Sequence, residues 1–230
     1  MRLQKYLAHA GLCSRRKAEE YILKGRIKIN GIIISELGTK VDPSMDSVLF
    51  DGEPVVLKLE HPKIYLALNK PEGYVTSCSQ KKTKIVMDLI DMDERIYPVG
   101  RLDKDSKGLL LLTNDGELHN KLSHPSFDHE KEYIVTTVDP VSDGALKSMA
   151  GGVMIDGVKT RRAMVKRISD KQFCIVLKEG RNRQIRKMIQ KTGNEVDTLL
   201  RIRIANIILG TLKEGTWRHL TQEEIRQLTQ

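Results

Sequence analysis

Gly100-Arg101-Leu102-Asp103-Lys104-Asp105-Ser106-Lys107-Gly108 runs into Leu109-Leu110-Leu111-Leu112 and then Thr113-Asn114-Asp115-Gly116. The four leucines can only belong in a core, as a short strand bounded by turn residues. The loop ahead of them is closed by glycines and sets Asp103 between the cations Arg101 and Lys104. A carboxylate held at the edge of a rigid buried strand, beside cations, has its position and its ionisation both fixed. It is therefore a candidate catalytic group. Asp and Ser are also ordinary turn residues, which supply backbone hydrogen bonds where a loop enters a strand. Taken alone, the loop leaves both readings open.

The rest of the chain narrows the choice. Its 230 residues can bury a sizeable core as one large domain or two smaller ones. With 40% hydrophobic and 30% charged residues it has the balance of a globular protein. No apolar run reaches the length of a membrane span, and the start, Met1-Arg2-Leu3-Gln4-Lys5, lacks the apolar core of a signal peptide. The three cysteines, Cys13, Cys78 and Cys174, are odd in number and far apart, as expected of reduced thiols in a cytoplasmic protein. His119, His124 and His129 recur every five residues, a spacing that suits neither face of a helix, so no metal site is expected. The net charge of +9 points to a polyanionic partner, nucleic acid above all.

The charge is concentrated at the N-terminus. Leu3, Tyr6, Leu7 and Ala10 share a helical face closed by Gly11, and Ser14 is a candidate N-cap for a second helix with Ala18, Tyr21 and Ile22 inside. Ile27 and Ile29 alternate with polar residues before Asn30-Gly31, a tight-turn dipeptide, and strands resume at Ile32 and Val48. Arg15, Arg16 and Lys17 fill the first turn of the second helix, where the macrodipole disfavours cations. From Arg2 to Lys28 there are eight basic residues against Glu19 and Glu20 alone. A helix that keeps cations at its wrong end is better explained by a polyanion than by its own stability.

These residues resemble the alpha-L RNA-binding domain: Leu3-x-x-Tyr6-Leu7, Gly11-Leu12-x-Ser14-Arg15-Arg16-x-Ala18 and Gly25-x-Ile27-x-Ile29-Asn30-Gly31. The resemblance spans residues 1–58. It implies an RNA-facing surface that includes Arg2, Lys5, Ser14, Arg15, Arg16, Lys17, Lys28 and Asn30. A polar linker is expected over 59–63 and a second domain over 64–230. In that domain the alternation predicts strands at Ile64–Leu68, Val75–Ser77, Tyr97–Val99, Leu109–Leu112, Tyr133–Val138, Gly152–Ile155, Ala163–Arg167, Phe173–Leu177 and Ile202–Leu209. Helices are predicted at Val86–Leu89, Glu117–Leu122, Ser142–Met149 and Asn182–Thr192. The fold class is α+β on a mixed, mostly antiparallel sheet.

Two further segments carry chemistry. Asp128-His129-Glu130-Lys131-Glu132-Tyr133 leads into a strand, and Gly180-Arg181-Asn182-Arg183-Gln184-Ile185-Arg186-Lys187-Met188 opens a basic amphipathic helix. Arg181 to Lys191 holds five cations and no acid. Together with the Asp103 loop, Asn69-Lys70-Pro71-x-Gly73 and Gly215-x-Trp217-x-x-Leu220, these segments resemble the RsuA/RluB/RluE/RluF family of ribosomal RNA pseudouridine synthases, the RluF type most closely. Ser106 stands where many relatives have threonine, and Arg183 where other branches have histidine.

The resemblance implies isomerisation of uridine to pseudouridine in ribosomal RNA, of the large subunit in the first place, by a cytoplasmic monomer without cofactor or metal. It implies that Asp103 attacks the flipped-out nucleotide at the ring or at the anomeric carbon, that Tyr133 stacks on the base, and that Arg186 pairs with Asp103, with Arg183 in reserve. Lys70, Arg101, Arg181, Arg183 and Lys187 join the expected RNA contacts. Arg101 could instead bridge to a nearby acid. A guanidinium stays charged and can hold a carboxylate ionised, which burial alone would oppose. A non-catalytic RNA-binding or ribosome-assembly protein of the same fold remains as an alternative, and small-subunit ribosomal RNA or tRNA as alternative substrates.

Overall fold

The leucine run lies at the centre of a nine-stranded sheet, in the computed structural model that describes residues 1–57, 62–123 and 128–229. Residues 59–61 of the expected linker, and His124, lie outside the described residues. The chain divides into two units, Met1–Pro62 and Lys63–Gln230.

In the first unit, helices α1 (Leu3–His9) and α2 (Arg15–Leu23) precede strands β1 (Ile27–Ile29), β2 (Ile32–Ile34), β3 (Val48–Phe50) and β4 (Glu53–Pro54). The sheet order is β2-β1-β3-β4, all antiparallel. Leu3, Tyr6 and Leu7 of α1 meet Ala18 and Ile22 of α2 over Ile27, Ile29 and Val48 in a single core. Ser14 caps α2 by accepting from the Lys17 amide at 3.1 Å, so the helix starts where its sequence directs.

The second unit contains β5 (Tyr65–Lys70), β6 (Tyr97–Val99), β7 (Lys107–Thr113), α3 (Gly116–Ser123), β8 (Lys131–Thr137), α4 (Asp143–Gly151), β9 (Met154–Ile155), β10 (Val158–Lys159), β11 (Met164–Ser169), β12 (Gln172–Leu177), α5 (Gln184–Gln190), β13 (Val196–Ile204), β14 (Ile207–Ile208), β15 (Trp217–His219) and α6 (Gln222–Thr229). The main sheet runs β11-β12-β8-β13-β7-β5-β15, with β6 on β7 and β14 on β13; β9 and β10 form a separate hairpin. Its pairings are antiparallel except β13 with β7, which makes the sheet mixed. Leu110 and Leu112 face one core with Tyr133, Phe173 and Ile185, while Leu109 and Leu111 face another with Ile204 and Leu220. Both faces of β7 are thus covered, which is why it reads as an unbroken leucine run.

Three local expectations are corrected. Val75 makes one parallel bridge to Ile85 and no strand, because the Pro71–Gly73 turn and the polar residues after Thr76 leave too little to pair. The stretch expected as one strand from Ile202 is the end of β13, a turn at Ala205-Asn206, and β14 folding back on Arg203 and Ile204. Helix α5 begins only at Gln184, after Arg183 adopts a left-handed conformation (φ 51°).

Candidate active site

The Asp103 loop is held by backbone contacts from four elements. Thr76 receives the Leu102 amide on its hydroxyl at 3.1 Å and donates that hydroxyl to the Leu102 carbonyl at 2.7 Å. The Gly73 amide donates to the Lys104 carbonyl at 2.8 Å. Lys70, at the end of β5, is fully buried and donates its ammonium to the Ser106 carbonyl at 2.6 Å and the Pro71 carbonyl at 2.9 Å. Arg186 on α5 donates to the Asp105 carbonyl at 2.6 Å, and Arg201 on β13 to the Arg101 carbonyl at 3.4 Å. The leucines anchor one end of the loop, and these donors fix the remainder.

Gly108 is needed for the same reason. It has φ +105°, and a Cβ there would lie 2.3 Å from the Arg201 carbonyl oxygen and 2.8 Å from its nitrogen. Only glycine lets β13 approach β7 this closely. That approach brings the Arg201 side chain to the loop.

Asp103, Tyr133 and Arg183 line one cavity of about 300 Å³, together with Arg101, Leu102, Lys131, Ile185 and Arg201 among others. That volume is within the range of small-molecule sites. Tyr133 lies in β8, 8% exposed, opposite Arg201 of β13. Among the described residues, no group of three or more His, Cys, Asp or Glu side chains could hold a metal ion.

The arginine that approaches Asp103 is Arg183, the one held in reserve, and not Arg186. Arg183 comes within 3.9 Å of the Asp103 carboxylate, while Arg186 lies 3.3 Å from Asp105. Arg183 also holds Asp105 with two hydrogen bonds, at 3.1 and 2.9 Å. Partial burial pushes the Asp105 carboxyl up, but the Arg183 hydrogen bonds and the charges of Arg186 and Arg183 outweigh it and hold it below the usual range. The late start of α5 explains the exchange: Arg183 stands off the end of the helix, and its left-handed backbone costs about 1–2 kcal/mol. Asp105, within the same loop but not among the expected site residues, is the anion that organises both arginines.

The expected RNA contacts divide into available and committed groups. Arg15, Arg16 and Lys28 are exposed and make no ion pair among the described residues, and the same holds for Arg101. Lys17 is exposed but paired with Glu20 at 2.7 Å, and Lys5 is half-buried. Arg2 donates to the Gly38 carbonyl. Asn30 uses its amide within the unit, donating to Asp46 at 2.8 Å and accepting from the Ser47 amide at 2.9 Å. Lys70 cannot touch RNA from the interior; its work is to hold the Asp103 loop. Arg181 is tied to Glu179 and to the Val158 and Lys159 carbonyls, and Lys187 to Asp156, so both hold α5 to the β9–β10 hairpin. Charge counting along α5 misses these partners because Glu179 lies just ahead of the counted stretch and Asp156, Val158 and Lys159 come from the β9–β10 hairpin. Arg201, with its buried head in the cavity wall, carries no signal in its own stretch of sequence that would single it out.

Comparison with known proteins defines the class. The RNA pseudouridylate synthase family model matches residues 64–191, and the S4 domain model matches residues 1–47. The chain belongs to the RNA pseudouridylate synthase family, with an S4 domain at its N-terminus, and is an isomerase of that class. It is 40% identical over 228 residues to the dual-specificity RNA pseudouridine synthase RluF of Escherichia coli (strain K12), covering 99% of this chain and 78% of that one. It is 42% identical over 236 residues to the ribosomal large subunit pseudouridine synthase B of Bacillus subtilis (strain 168), covering 99% and 95%. A crystal structure of a pseudouridylate synthase superposes with a TM-score of 0.73 at 32% identity over 99% of both chains.

Proposed function

We propose that this pseudouridine synthase acts on ribosomal RNA, that of the large subunit first, as a cytoplasmic monomer whose domains are residues 1–58 and 64–230 joined by 59–63, with Asp103 as its nucleophile. The observation that carries the reading is the convergence of Asp103, Tyr133 and Arg183 on one cavity, at the end of a loop clamped from four elements. A target uridine leaves the stack, at a cost of a few kcal/mol that is least in RNA loops, and its base lies against Tyr133. The Asp103 carboxylate, with the Arg183 guanidinium 3.9 Å away, attacks the anomeric carbon, and the glycosidic bond to N1 breaks. The uracil turns, its C5 attacks the anomeric carbon, and the Asp103 carboxylate departs. The C5 proton is then lost while N1 gains one, so product and substrate are isomers. Arg101, exposed beside the nucleophile, is placed to meet an RNA phosphate. Arg186 acts through Asp105.

Two measurements test this. Asp103→Asn should abolish pseudouridine formation on ribosomal RNA while RNA affinity stays within about threefold of the parent; turnover by this variant would exclude the aspartate assignment. Pseudouridine mapping of large- and small-subunit ribosomal RNA and of tRNA, from cells with and without the gene, identifies the substrate. Loss of a site only in small-subunit RNA or tRNA would refute the large-subunit reading.

A further inference from the structure

Arg201 is a buried cation with no ion pair among the described residues. It is 2% exposed, its Nε donates to the Leu109 carbonyl at 2.7 Å, and one terminal nitrogen reaches the Arg101 carbonyl at 3.4 Å. The other, Nη2, is buried with no hydrogen-bond partner among the described residues. Removing a charge from water without a counter-charge costs several kcal/mol, and a buried donor left unpaired adds about 1–3. A neutral residue could fill a purely structural position without either penalty. This one lines the cavity that holds Asp103 and Tyr133, and its guanidinium carbon lies 6.0 Å from the Tyr133 ring centroid. Lys131 lines the same cavity, with one hydrogen bond, to the His129 carbonyl at 3.3 Å. Burial, with the charge of Arg201 added, pulls the Lys131 ammonium below its ordinary range. Arg201 and Lys131 thus stand in the cavity wall with no ion pair among the described residues, an arrangement that favours an anion present only during the reaction.

The isomerisation produces such an anion. When the anomeric C1′–N1 bond breaks, both electrons remain with the uracil, and the charge spreads over N1 and the two carbonyl oxygens. It disappears when C5 bonds to C1′ and displaces Asp103. We infer that Arg201 is a catalytic residue of this enzyme: when the flipped uracil enters the cavity, the guanidinium turns to bring Nη2 onto a uracil carbonyl oxygen, and its charge stabilises the detached uracil anion. The inference rests on reading the Asp103–Tyr133 cavity as the base site. Nη2 exposes almost no surface in the ligand-free protein, so the guanidinium must turn toward the cavity to make this bond, which is charge-assisted and therefore strong.

The test uses the full-length protein and a ribosomal RNA fragment containing its target uridine, with tritium at C5. Single-turnover tritium release reports the chemical step, and filter binding reports RNA affinity. Arg201→Gln keeps amide donors and removes the charge. It should slow release about 100-fold or more, as loss of one oxyanion donor does, with RNA affinity within about threefold of the parent. Arg201→Lys, which keeps the charge, should fall between. With 2-thiouridine or 4-thiouridine at the target, one substitution should slow the parent, since sulfur is the poorer acceptor, and should slow the Gln variant far less. A Gln variant as fast as the parent overturns the proposal, as does a thio effect of equal size in both proteins. If the Gln variant does not fold, the same thio comparison between parent and Arg201→Lys decides by the same criterion. Asp103→Asn serves as the control: if it turns over, the base-site reading fails; if it is inactive while Arg201→Gln is fast, only the Arg201 assignment fails.

Discussion

Asp103 and Asp105 are two residues apart and have different work. Asp105 holds Arg183 by two hydrogen bonds and receives Arg186, while Asp103 receives Arg183 only at 3.9 Å and faces the cavity. Asp105→Asn should therefore loosen Arg183 and lower the single-turnover rate about tenfold with unchanged RNA affinity; a change in affinity alone would assign Asp105 to binding. Lys70 gives a pH prediction. Burial lowers its pKa from 10.5 to about 8, against the pull of Asp105, Glu72 and Asp103. The unfolded chain thus binds more protons between those values, and the contribution of Lys70 to stability rises as pH climbs from about 8 to 10.5. The full swing is about 3 kcal/mol. Urea unfolding of the parent and of Lys70→Met at pH 7 and 10.5 checks it: the difference should shift toward the parent at the higher pH. The candidate nucleophile was legible because its motif is contiguous. The pairing of its arginine was not, since it depends on where α5 starts, and Arg183 departs from helical backbone against its own preference.

At the scale of elements, β7 could be read directly because both its faces are apolar and its ends carry turn residues. Its neighbour β13 was legible only in part: Thr198, Arg201 and Arg203 interrupt its apolar pattern, and the arginines among them serve the loop, the cavity and the acids Glu130 and Glu132. Gly108 connects the two strands. Gly108→Ala would set a methyl 2.3 Å from the Arg201 carbonyl oxygen in a left-handed backbone that alanine resists. We expect a loss of more than about 3 kcal/mol in denaturant unfolding, or a protein that does not accumulate. A stable Gly108→Ala variant with parental activity would mean that β7 and β13 can separate without disturbing the loop.

For the whole molecule, a net charge of +9 is an unreliable guide to where RNA binds, because many of its cations are neutralised locally. Arg161, Arg167, Arg181, Lys187, Arg203 and Arg218 each have an acidic partner in the second unit. In the first unit Arg15 and Arg16 stay exposed, with no ion pair among the described residues, at the N-terminus of α2, where the helix macrodipole opposes them. Stability and binding therefore pull in opposite directions at these two positions. Arg15→Glu with Arg16→Glu should raise the thermal stability of the S4 domain, by about 0.3–1 kcal/mol for each charge that comes to complement the dipole. The same double variant should weaken RNA binding steeply and flatten its salt dependence: the slope of log affinity against log salt should fall by about 0.7 for each RNA phosphate the protein no longer neutralises. The chemical rate at saturating RNA should be unchanged, since the cavity lies wholly within the second unit. Thermal melts, binding titrations at several salt concentrations and single-turnover rates on one preparation check all three. A variant that is more stable yet binds RNA like the parent would show that the cations of α2 are solvated and that the RNA is gripped elsewhere.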